Sequence, residues 1–160
     1  MLRIADLCSG TGAATAPFFE RGHDVDRFEL PRDICLEAFT PGQYDFVWAS
    51  PPCTEYSRLS MPWHPIEAVD VGLWCECLRL IGETEPRYWV LENARGAQYI
   101  WGKTRHCGSF YMWGVMPAWP QGDYRKDYAH VRNPKERARI PRGLAVQVAD
   151  IVERAFGYKP

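Results

Sequence analysis

Short β-rich apolar runs recur along this 160-residue chain, and stretches with helical periodicity separate them. Strands that alternate with helices favour a mainly parallel sheet with helices on both faces. The length is that of one domain, so we expect a single domain over residues 1–160. These features predict an α/β fold with a sheet of about five strands. The five runs are LRIADL, DVDRFEL, YDFVWAS, RYWVLEN and GSFYMWG.

Helical periodicity marks the stretches between and after these runs. From Pro65 onward, apolar residues recur at steps of three and four, which predicts a helix that ends near Glu85. Residues 143–157 show the same pattern with a glycine at the end, as is typical of a helix C-terminus. Residues 94–102 predict a short helix. The segment 115–141 is rich in proline and charge and predicts irregular structure.

Chemically competent side chains stand where the predicted strands end. The carboxyl ends of parallel strands meet at one edge of a sheet, and ligands bind there. Chance would scatter such residues, so this placement is the main reason to regard Cys53 as functional. The residues at the four ends are Asp6 to Gly12, Glu29, Ser50 to Cys53, and Glu92 with Asn93.

Cys53 follows two adjacent prolines in the stretch ASPPCTEYS. Prolines fix their own φ and lack a backbone donor, so the chain around this thiol is stiff and continues neither a strand nor a helix. A thiol that acts as a nucleophile needs activation at neutral pH. Glu92 is the candidate acid, because a buried carboxyl keeps its proton and can donate it to a ring nitrogen while the thiolate attacks the adjacent carbon. The pair suits attack on a pyrimidine.

The stretch DLCSGTGAAT predicts a glycine turn that opens a helix. Gly10 and Gly12 let a ligand approach the backbone, but the third glycine of the dinucleotide fingerprint is missing. Asp6 can accept hydrogen bonds from an ammonium group at the turn, or it can cap the following helix instead. Glu29 suits a pair of ribose hydroxyls. Together these residues describe a pocket for a nucleoside with a charged tail.

Three motifs, in this order, resemble those of a known enzyme family. DLCSGTGAAT, ASPPCTEYS and VLENARG are similar to the cofactor motif, the Pro-Cys nucleophile motif and the Glu-Asn-Val motif of the DNA cytosine-5 methyltransferases. GKTRHCGSFYMWG is similar to the region where that family carries arginines before a strand. The layout also resembles the short methylase-like proteins encoded by phages. The chain departs from the family pattern at Cys8, Thr54 and Ala94, and none of these changes removes a reacting group.

The resemblance implies a Rossmann-like, S-adenosylmethionine-dependent methyltransferase fold and methylation of DNA. Cys53 would add to C6 of cytosine so that C5 can accept the methyl group, and loss of the C5 proton would release the enzyme. Glu92 would hold N3 and the exocyclic amine, and Arg105 would hold O2. The target base must be flipped out of a duplex or supplied unstacked. The resemblance and the strand ends assign the cofactor to Asp6, Cys8, Ser9, Gly10, Thr11, Gly12, Glu29, Glu37 and Pro51.

Positive charge is concentrated in the second half of the chain. Residues 95–142 contain ten basic and three acidic residues, whereas the whole chain carries a net charge of −1. Cations interleaved with aromatic residues suit a polyanion with exposed bases, although a solvated basic face is the alternative. The residues predicted to contact nucleic acid are Ser57, Arg58, Arg95, Lys103, Arg125, Lys126, Arg132 and Arg137.

Sequence readout by this chain is expected to be weak. Only residues 115–141 lie where the family inserts a large target-recognition region, and phosphate contacts carry no sequence information. We therefore expect low or short specificity, unless a partner subunit supplies it. The loop 58–65 could close over a flipped base with Met61 or Trp63, or it could pack Trp63 into the core.

Two other functions remain open at this point. One is modification of pyrimidine C5 in RNA or in a free nucleotide, and the other is an inactive cofactor-binding or DNA-binding subunit. No metal site is predicted, because the cysteines and His106 match no standard zinc spacing. Scattered cysteines, the lack of a long apolar run and the lack of a signal peptide favour a cytoplasmic protein without membrane contact.

Overall fold

A mixed sheet of six strands forms the centre of the computed structural model. The structure describes residues 1–29, 34–59, 63, 65, 66, 69–126, 133, 136 and 138–159. The strands are β1 (Arg3–Leu7), β2 (Asp24–Phe28), β3 (Phe46–Ala49), β4 (Tyr88–Asn93), β5 (Arg105–Cys107) and β6 (Phe110–Val115). Their order across the sheet is β2-β1-β3-β4-β6-β5. The first four strands are parallel, whereas β6 is antiparallel to both β4 and β5.

The predicted α/β fold is confirmed, with one strand more than expected. The strand predicted from GSFYMWG is β6, and β5 is the additional one. The three residues of β5, RHC, are too few and too polar to show an alternating apolar pattern. A tight turn at Gly108 and Ser109 joins the two strands, so they must be antiparallel, since a parallel pair needs a long crossover. The sheet is therefore mixed.

Helices cover both faces of this sheet. They are α1 (Ala16–Glu20), α2 (Thr54–Arg58), α3 (Gly72–Thr84), α4 (Gln98–Trp101) and α5 (Arg142–Ala155), with 3-10 turns at Ile34–Leu36 and Arg95–Ala97. Helix α3 packs on one face, where its buried residues meet the strands in a first apolar core. Helices α1 and α5 form a second core with the opposite face. Each large apolar side chain that is fully buried in these cores contributes about 1.5–3 kcal/mol. The fully buried side chains include Leu7, Cys77, Leu80 and Leu91 in the first core, and Ile4, Phe18, Trp48, Leu144 and Val148 in the second.

Two helices begin later than the sequence pattern predicts. Helix α3 starts at Gly72 rather than near Pro65, because the Asp70 carboxylate accepts the Gly72 backbone N–H at 2.8 Å and forms a turn before the helix. Helix α1 has only five residues. Positive φ angles at Cys8, Gly10 and Gly12 keep the chain in a turn up to that point.

The other predicted elements match the structure. The short helix predicted at 94–102 is the 3-10 turn Arg95–Ala97 followed by α4, and the C-terminal helix is α5. Within the segment 115–141, residues 116–126 form neither helix nor strand, as expected, whereas Val115 is the last residue of β6 and Glu136 is helical. In the part of the chain that the structure describes, every helix is too short or too polar to cross a bilayer.

Candidate active site

The carboxyl ends of β1, β3 and β4 lie side by side. Leu7, Ala49 and Leu91 occupy one level of the sheet, and the Ser50 N–H continues the ladder by donating to the Leu7 carbonyl at 3.0 Å. At the next level, the Ser50 hydroxyl donates to Glu92 Oε2 at 3.4 Å. The parallel register therefore brings the predicted strand-end groups to one edge.

Asn93 ties the Pro-Cys loop to the end of β4. Its side chain is fully buried, and Nδ2 donates to the Pro51 carbonyl at 2.9 Å. Its Oδ1 accepts the Ala94 N–H at 2.8 Å, so both ends of the amide are used. The sequence placed Asn93 at a strand end without this role. The sequence did contain a signal for this role, namely an amide side chain at the end of a buried strand near a double-proline segment. That segment lacks two backbone donors, and its carbonyls still need partners.

Cys53 is the residue immediately before α2. The thiol is reduced and the residue is half-buried, while its carbonyl accepts the Ser57 N–H in the first turn of the helix. Helix α2 packs directly on the Arg95–Ala97 turn, where a Cβ at Gly96 would lie 1.8 Å from the Tyr56 carbonyl oxygen. Only glycine allows this approach. The elements that carry Cys53 and Glu92 are therefore held together behind the site.

Gly96→Ala is expected to lower the free energy of unfolding by about 3 kcal/mol, because the added methyl group meets rigid backbone. Gly82→Ala is the matched control. Gly82 lies in α3 with no atom within 4 Å of its added Cβ, so this change should stabilise the chain by up to about 1 kcal/mol. Urea unfolding followed by tryptophan fluorescence measures both changes. Equal stability of the two variants would show that the contact between α2 and the turn is absent.

Glu92 lies in a nearly closed polar pocket. Its side chain is 6% exposed, and the Ser50 hydroxyl that donates to Oε2 itself accepts the Trp48 indole N–H at 2.7 Å. Glu92 Oε1 has no hydrogen-bond partner among the described residues. The ammonium of Lys126 lies 3.8 Å from this oxygen, which is an ion-pair distance but too long for a hydrogen bond. Burial raises the pKa of Glu92, and the charge of Lys126 opposes that rise.

The glycine turn follows β1 at the same edge. Cys8, Gly10 and Gly12 have φ angles of 57°, 57° and 67°, and the Gly12 N–H donates to the Ser9 carbonyl at 2.7 Å. The Ser9 hydroxyl donates to Glu29 Oε1 at 2.9 Å, which joins the turn to the end of β2. Gly10 and Thr11 are exposed at the tip, and Cys8 and Ser9 are half-buried.

Asp6 lies beneath this turn rather than at its surface. Its side chain is fully buried, Oδ2 accepts the Thr15 hydroxyl at 2.6 Å, and Oδ1 has no hydrogen-bond partner among the described residues. Asp6 is therefore oriented toward Thr15. Its bond to Thr15, the residue before α1, resembles the alternative capping role. Burial raises the pKa of Asp6 to about 7, against the opposing effects of Thr15 and Arg27.

The raised pKa of Asp6 predicts a pH-dependent stability. In the unfolded chain this carboxyl has its ordinary pKa of 3.8, so its stabilising contribution is complete below pH 3.8 and is lost as the pH rises through 7. Over this pH range the free energy of unfolding should fall by about 4 kcal/mol. Asp6→Asn keeps an acceptor for Thr15 and cannot ionise, so it should gain this amount relative to the natural chain between pH 4 and pH 8. Urea unfolding of both chains measures the difference, and parallel pH curves would contradict the burial of Asp6.

The remaining predicted cofactor residues are Pro51 and Glu37. Pro51 is buried two residues before Cys53. Glu37 is half-buried after the Ile34–Leu36 turn, and its carbonyl accepts a hydrogen bond at 3.0 Å from Arg79 of α3. Residues 30–33, which join this turn to the end of β2, lie outside the described residues.

Arg105 is two strands away from Glu92. It pairs with Met112, which pairs in turn with Glu92, and its side chain is exposed, with the guanidinium 5.8 Å from the centre of the Trp119 ring. The structure therefore shows no contact between Arg105 and the Glu92 pocket. The cation that lies against Glu92 is Lys126, which the sequence assigned to a nucleic-acid contact. Its side chain is only 5% exposed.

Most of the other residues predicted to contact nucleic acid are exposed. They are Ser57, Arg58, Arg95, Lys103 and Arg125. Arg58 pairs with Glu55 at 3.0 Å and Arg125 pairs with Asp123 at 2.8 Å, so these two cations are partly neutralised. Trp63 is 77% exposed, which excludes the alternative that it packs into the core. Arg132, Arg137 and Met61 lie outside the described residues.

The cysteines considered for zinc are not brought together. Cys77 lies in the first core and Cys107 in the second, on opposite faces of the sheet. Within the described ranges, no three His, Cys, Asp or Glu side chains form a group that could hold a metal ion.

Known proteins were compared with this chain at the levels of family, sequence and structure. Residues 19–99 match the family described as C-5 cytosine-specific DNA methylase, a span that includes Cys53 and Glu92 and begins after the glycine turn. No curated protein matches the sequence. Among solved structures, the chain is similar to a protein from an E. coli prophage whose description names a DNA modification methyltransferase, with 22% identity and a TM-score of 0.43. That match covers 61% of this chain and 33% of the other, so this chain spans about a third of its length.

Proposed function

Because the family match extends over half of its length, this chain belongs to the C-5 cytosine-specific DNA methylases, and we propose that it methylates C5 of cytosine in DNA through a covalent bond to Cys53. The proposed mechanism rests mainly on one structural observation. A nearly closed carboxyl, Glu92, lies at the strand end to which Asn93 ties the Pro-Cys loop. Addition to a pyrimidine requires a nucleophilic thiol and an acid that can hold its proton, and both stand on this edge of the sheet.

The residues around the glycine turn fit S-adenosylmethionine as the methyl donor. Gly10 has a positive φ and no atom within 4 Å of the Cβ position, so a ligand can approach the exposed backbone there. The Glu29 carboxylate at the end of β2 suits ribose hydroxyls, and Ser9 fixes its orientation. Asp6 supports the turn from below through Thr15. When bound, the cofactor supplies an electrophilic methyl group to C5.

The chain's own residues account for the addition step. The Cys53 thiolate bonds to C6, the C5=C6 electron pair moves to C4–C5, and the C4=N3 pair moves to N3. Glu92 donates its proton to N3, which leaves C5 as the nucleophilic carbon of an enamine. After methylation, water takes the proton from C5, the C5–H electron pair re-forms the C5=C6 bond, and the Sγ–C6 bond breaks to release the Cys53 thiolate. N3 then returns its proton to the Glu92 carboxylate, which restores both the ring and the acid. The raised pKa of Glu92 suits this role, since the acid must hold its proton until addition.

DNA is the proposed substrate, with a flipped or unstacked target base. Arg95 and Lys103 are exposed on the segments that follow β4, where they can contact phosphates. Such contacts position a strand without reading its sequence. We therefore expect this chain to methylate cytosines in short or loosely defined contexts.

Base-resolution methylation analysis tests this proposal. Purified chain, S-adenosylmethionine and random-sequence duplex DNA should yield 5-methylcytosine in many contexts, and Cys53→Ser should yield none. A strict recognition site of four or more bases would overturn the expected low specificity. Methylation confined to RNA or deoxycytidylate, or no transfer to any substrate, would overturn the proposed function.

A further inference from the structure

A buried ammonium group faces the proposed catalytic acid. Lys126 Nζ lies 3.8 Å from Glu92 Oε1, and the two side chains are only 5% and 6% exposed. The same Nζ lies 5.1 Å from the centre of the Phe110 ring, a favourable site for a cation. A buried charge is costly unless it is compensated. We therefore do not regard Lys126 as a surface lysine whose side chain lies inward by chance.

Several contacts fix the segment that delivers this lysine. The Tyr124 carbonyl accepts the Ser109 N–H at 2.7 Å, and the Lys126 N–H donates to the Ser109 hydroxyl at 3.4 Å. Gly108 permits this approach, because a Cβ there would lie 2.0 Å from the Tyr124 carbonyl oxygen. Gln147 of α5 donates to the Tyr124 hydroxyl at 2.9 Å. The segment is therefore held by the turn between β5 and β6 and by the C-terminal helix.

Of the two carboxyl oxygens of Glu92, only Oε1 faces Lys126. Oε2 accepts the neutral hydroxyl of Ser50, and the cross-strand neighbour, Met112, is apolar. Lys126 is the charged group in contact with Glu92 among the described residues. Its effect on Glu92 is electrostatic, since 3.8 Å exceeds hydrogen-bond distance.

We propose that Lys126 is a positioning residue that stabilises the Glu92 carboxylate formed when Glu92 protonates N3 during Cys53 addition, an inference that rests on the proposed function. The proposed mechanism requires Glu92 to hold its proton before addition, so the ammonium then faces a neutral carboxyl. After the proton has moved to N3, it faces a carboxylate in the same low-dielectric pocket, so the attraction grows as the transition state is approached. A preorganised charge of this kind accelerates a step without binding the ground state more tightly.

Titration of Glu92 tests the pairing without substrate or cofactor. In protein labelled with carboxyl-¹³C glutamate, with the Glu92 signal assigned by Glu92→Gln, Lys126→Met should raise the pKa of Glu92 by about one unit or more. Lys126→Arg should keep it near the natural value. Arg125→Met is the matched control, because it removes the same charge one residue away from a side chain that is 80% exposed. An unchanged pKa of Glu92 in Lys126→Met would overturn the inference.

The rate of addition is the second readout. Release of tritium from C5 of cytosine in DNA, measured without a methyl donor, reports reversible bonding of Cys53 to C6. Lys126→Met should slow this exchange about 100-fold, and Lys126→Arg should restore most of it. Exchange at the natural rate in Lys126→Met would overturn the positioning role. If the natural chain shows neither exchange nor methylation, the proposed function fails, whereas the titration alone still decides whether Lys126 controls Glu92. Should Lys126→Met fail to fold, Lys126→Gln carries the same expectations.

Discussion

Cys53→Ser should reduce methyl transfer to DNA by about 10⁴-fold or more, which is the scale on which loss of a nucleophile acts. A serine hydroxyl is nearly isosteric with the thiol but ionises far less at neutral pH, so it cannot add to C6. Asn93 holds the loop through the Pro51 carbonyl, which the substitution leaves in place. Single-turnover transfer of a labelled methyl group to duplex DNA measures the effect.

Cys75→Ser is the matched control for this change. Cys75 is an exposed free thiol on α3 and belongs to neither the Pro-Cys loop nor the glycine turn, so its replacement should leave the transfer rate unchanged. Equal circular dichroism and melting temperatures of the two variants would show that the fold is retained. Full activity in Cys53→Ser would refute the covalent mechanism outright.

Glu92→Gln should slow methyl transfer by about 10² to 10⁴-fold, because glutamine can hydrogen-bond to N3 but has no proton to transfer. The same variant places a neutral amide of nearly the same shape where the resting enzyme holds a neutral carboxyl, so the free energy of unfolding should change by about 1 kcal/mol or less. Exchange of C5 tritium and urea unfolding measure the two effects separately.

The double variant Glu92→Gln with Lys126→Met separates chemistry from folding. It removes both ionisable groups, so the free energy of unfolding should stay within about 2 kcal/mol of that of the natural chain while transfer stays low. Recovery of transfer in this variant would mean that Glu92 serves the fold alone. A milder loss, about 10-fold, is expected for Ser50→Ala, which removes the hydroxyl on Oε2.

The position of the site could be predicted because parallel strands impose it. The apolar runs before Ser50 and Glu92 have strand character, and the carboxyl ends of parallel strands meet whatever their sequences. The register then places these two residues at adjacent strand ends. The stiffness of the Pro-Cys loop could also be predicted from the sequence, since proline restricts its own φ and the conformation of the preceding residue.

The partners of these groups could not be predicted. Lys126 was assigned to phosphate because lysines in a basic, irregular segment are usually solvated. Its burial depends on Gly108 allowing the Tyr124 backbone to approach, a contact between segments distant in sequence. The bond between Asp6 and Thr15 could not be predicted either, since an acid at a strand end can face a ligand or the following helix and the sequence does not decide between them. The strand β5 was missed because three polar residues carry no periodic signal.

Mapping of a trapped adduct tests the central claim most directly. Duplex DNA containing 5-fluorocytosine, incubated with the chain and S-adenosylmethionine, retains the enzyme because fluorine at C5 cannot leave as a proton does. Mass spectrometry of the digested complex should place the modified pyrimidine on Cys53 and on no other cysteine. An adduct on a different residue, or efficient methylation of ordinary DNA with no adduct on the fluorinated strand, would contradict the account.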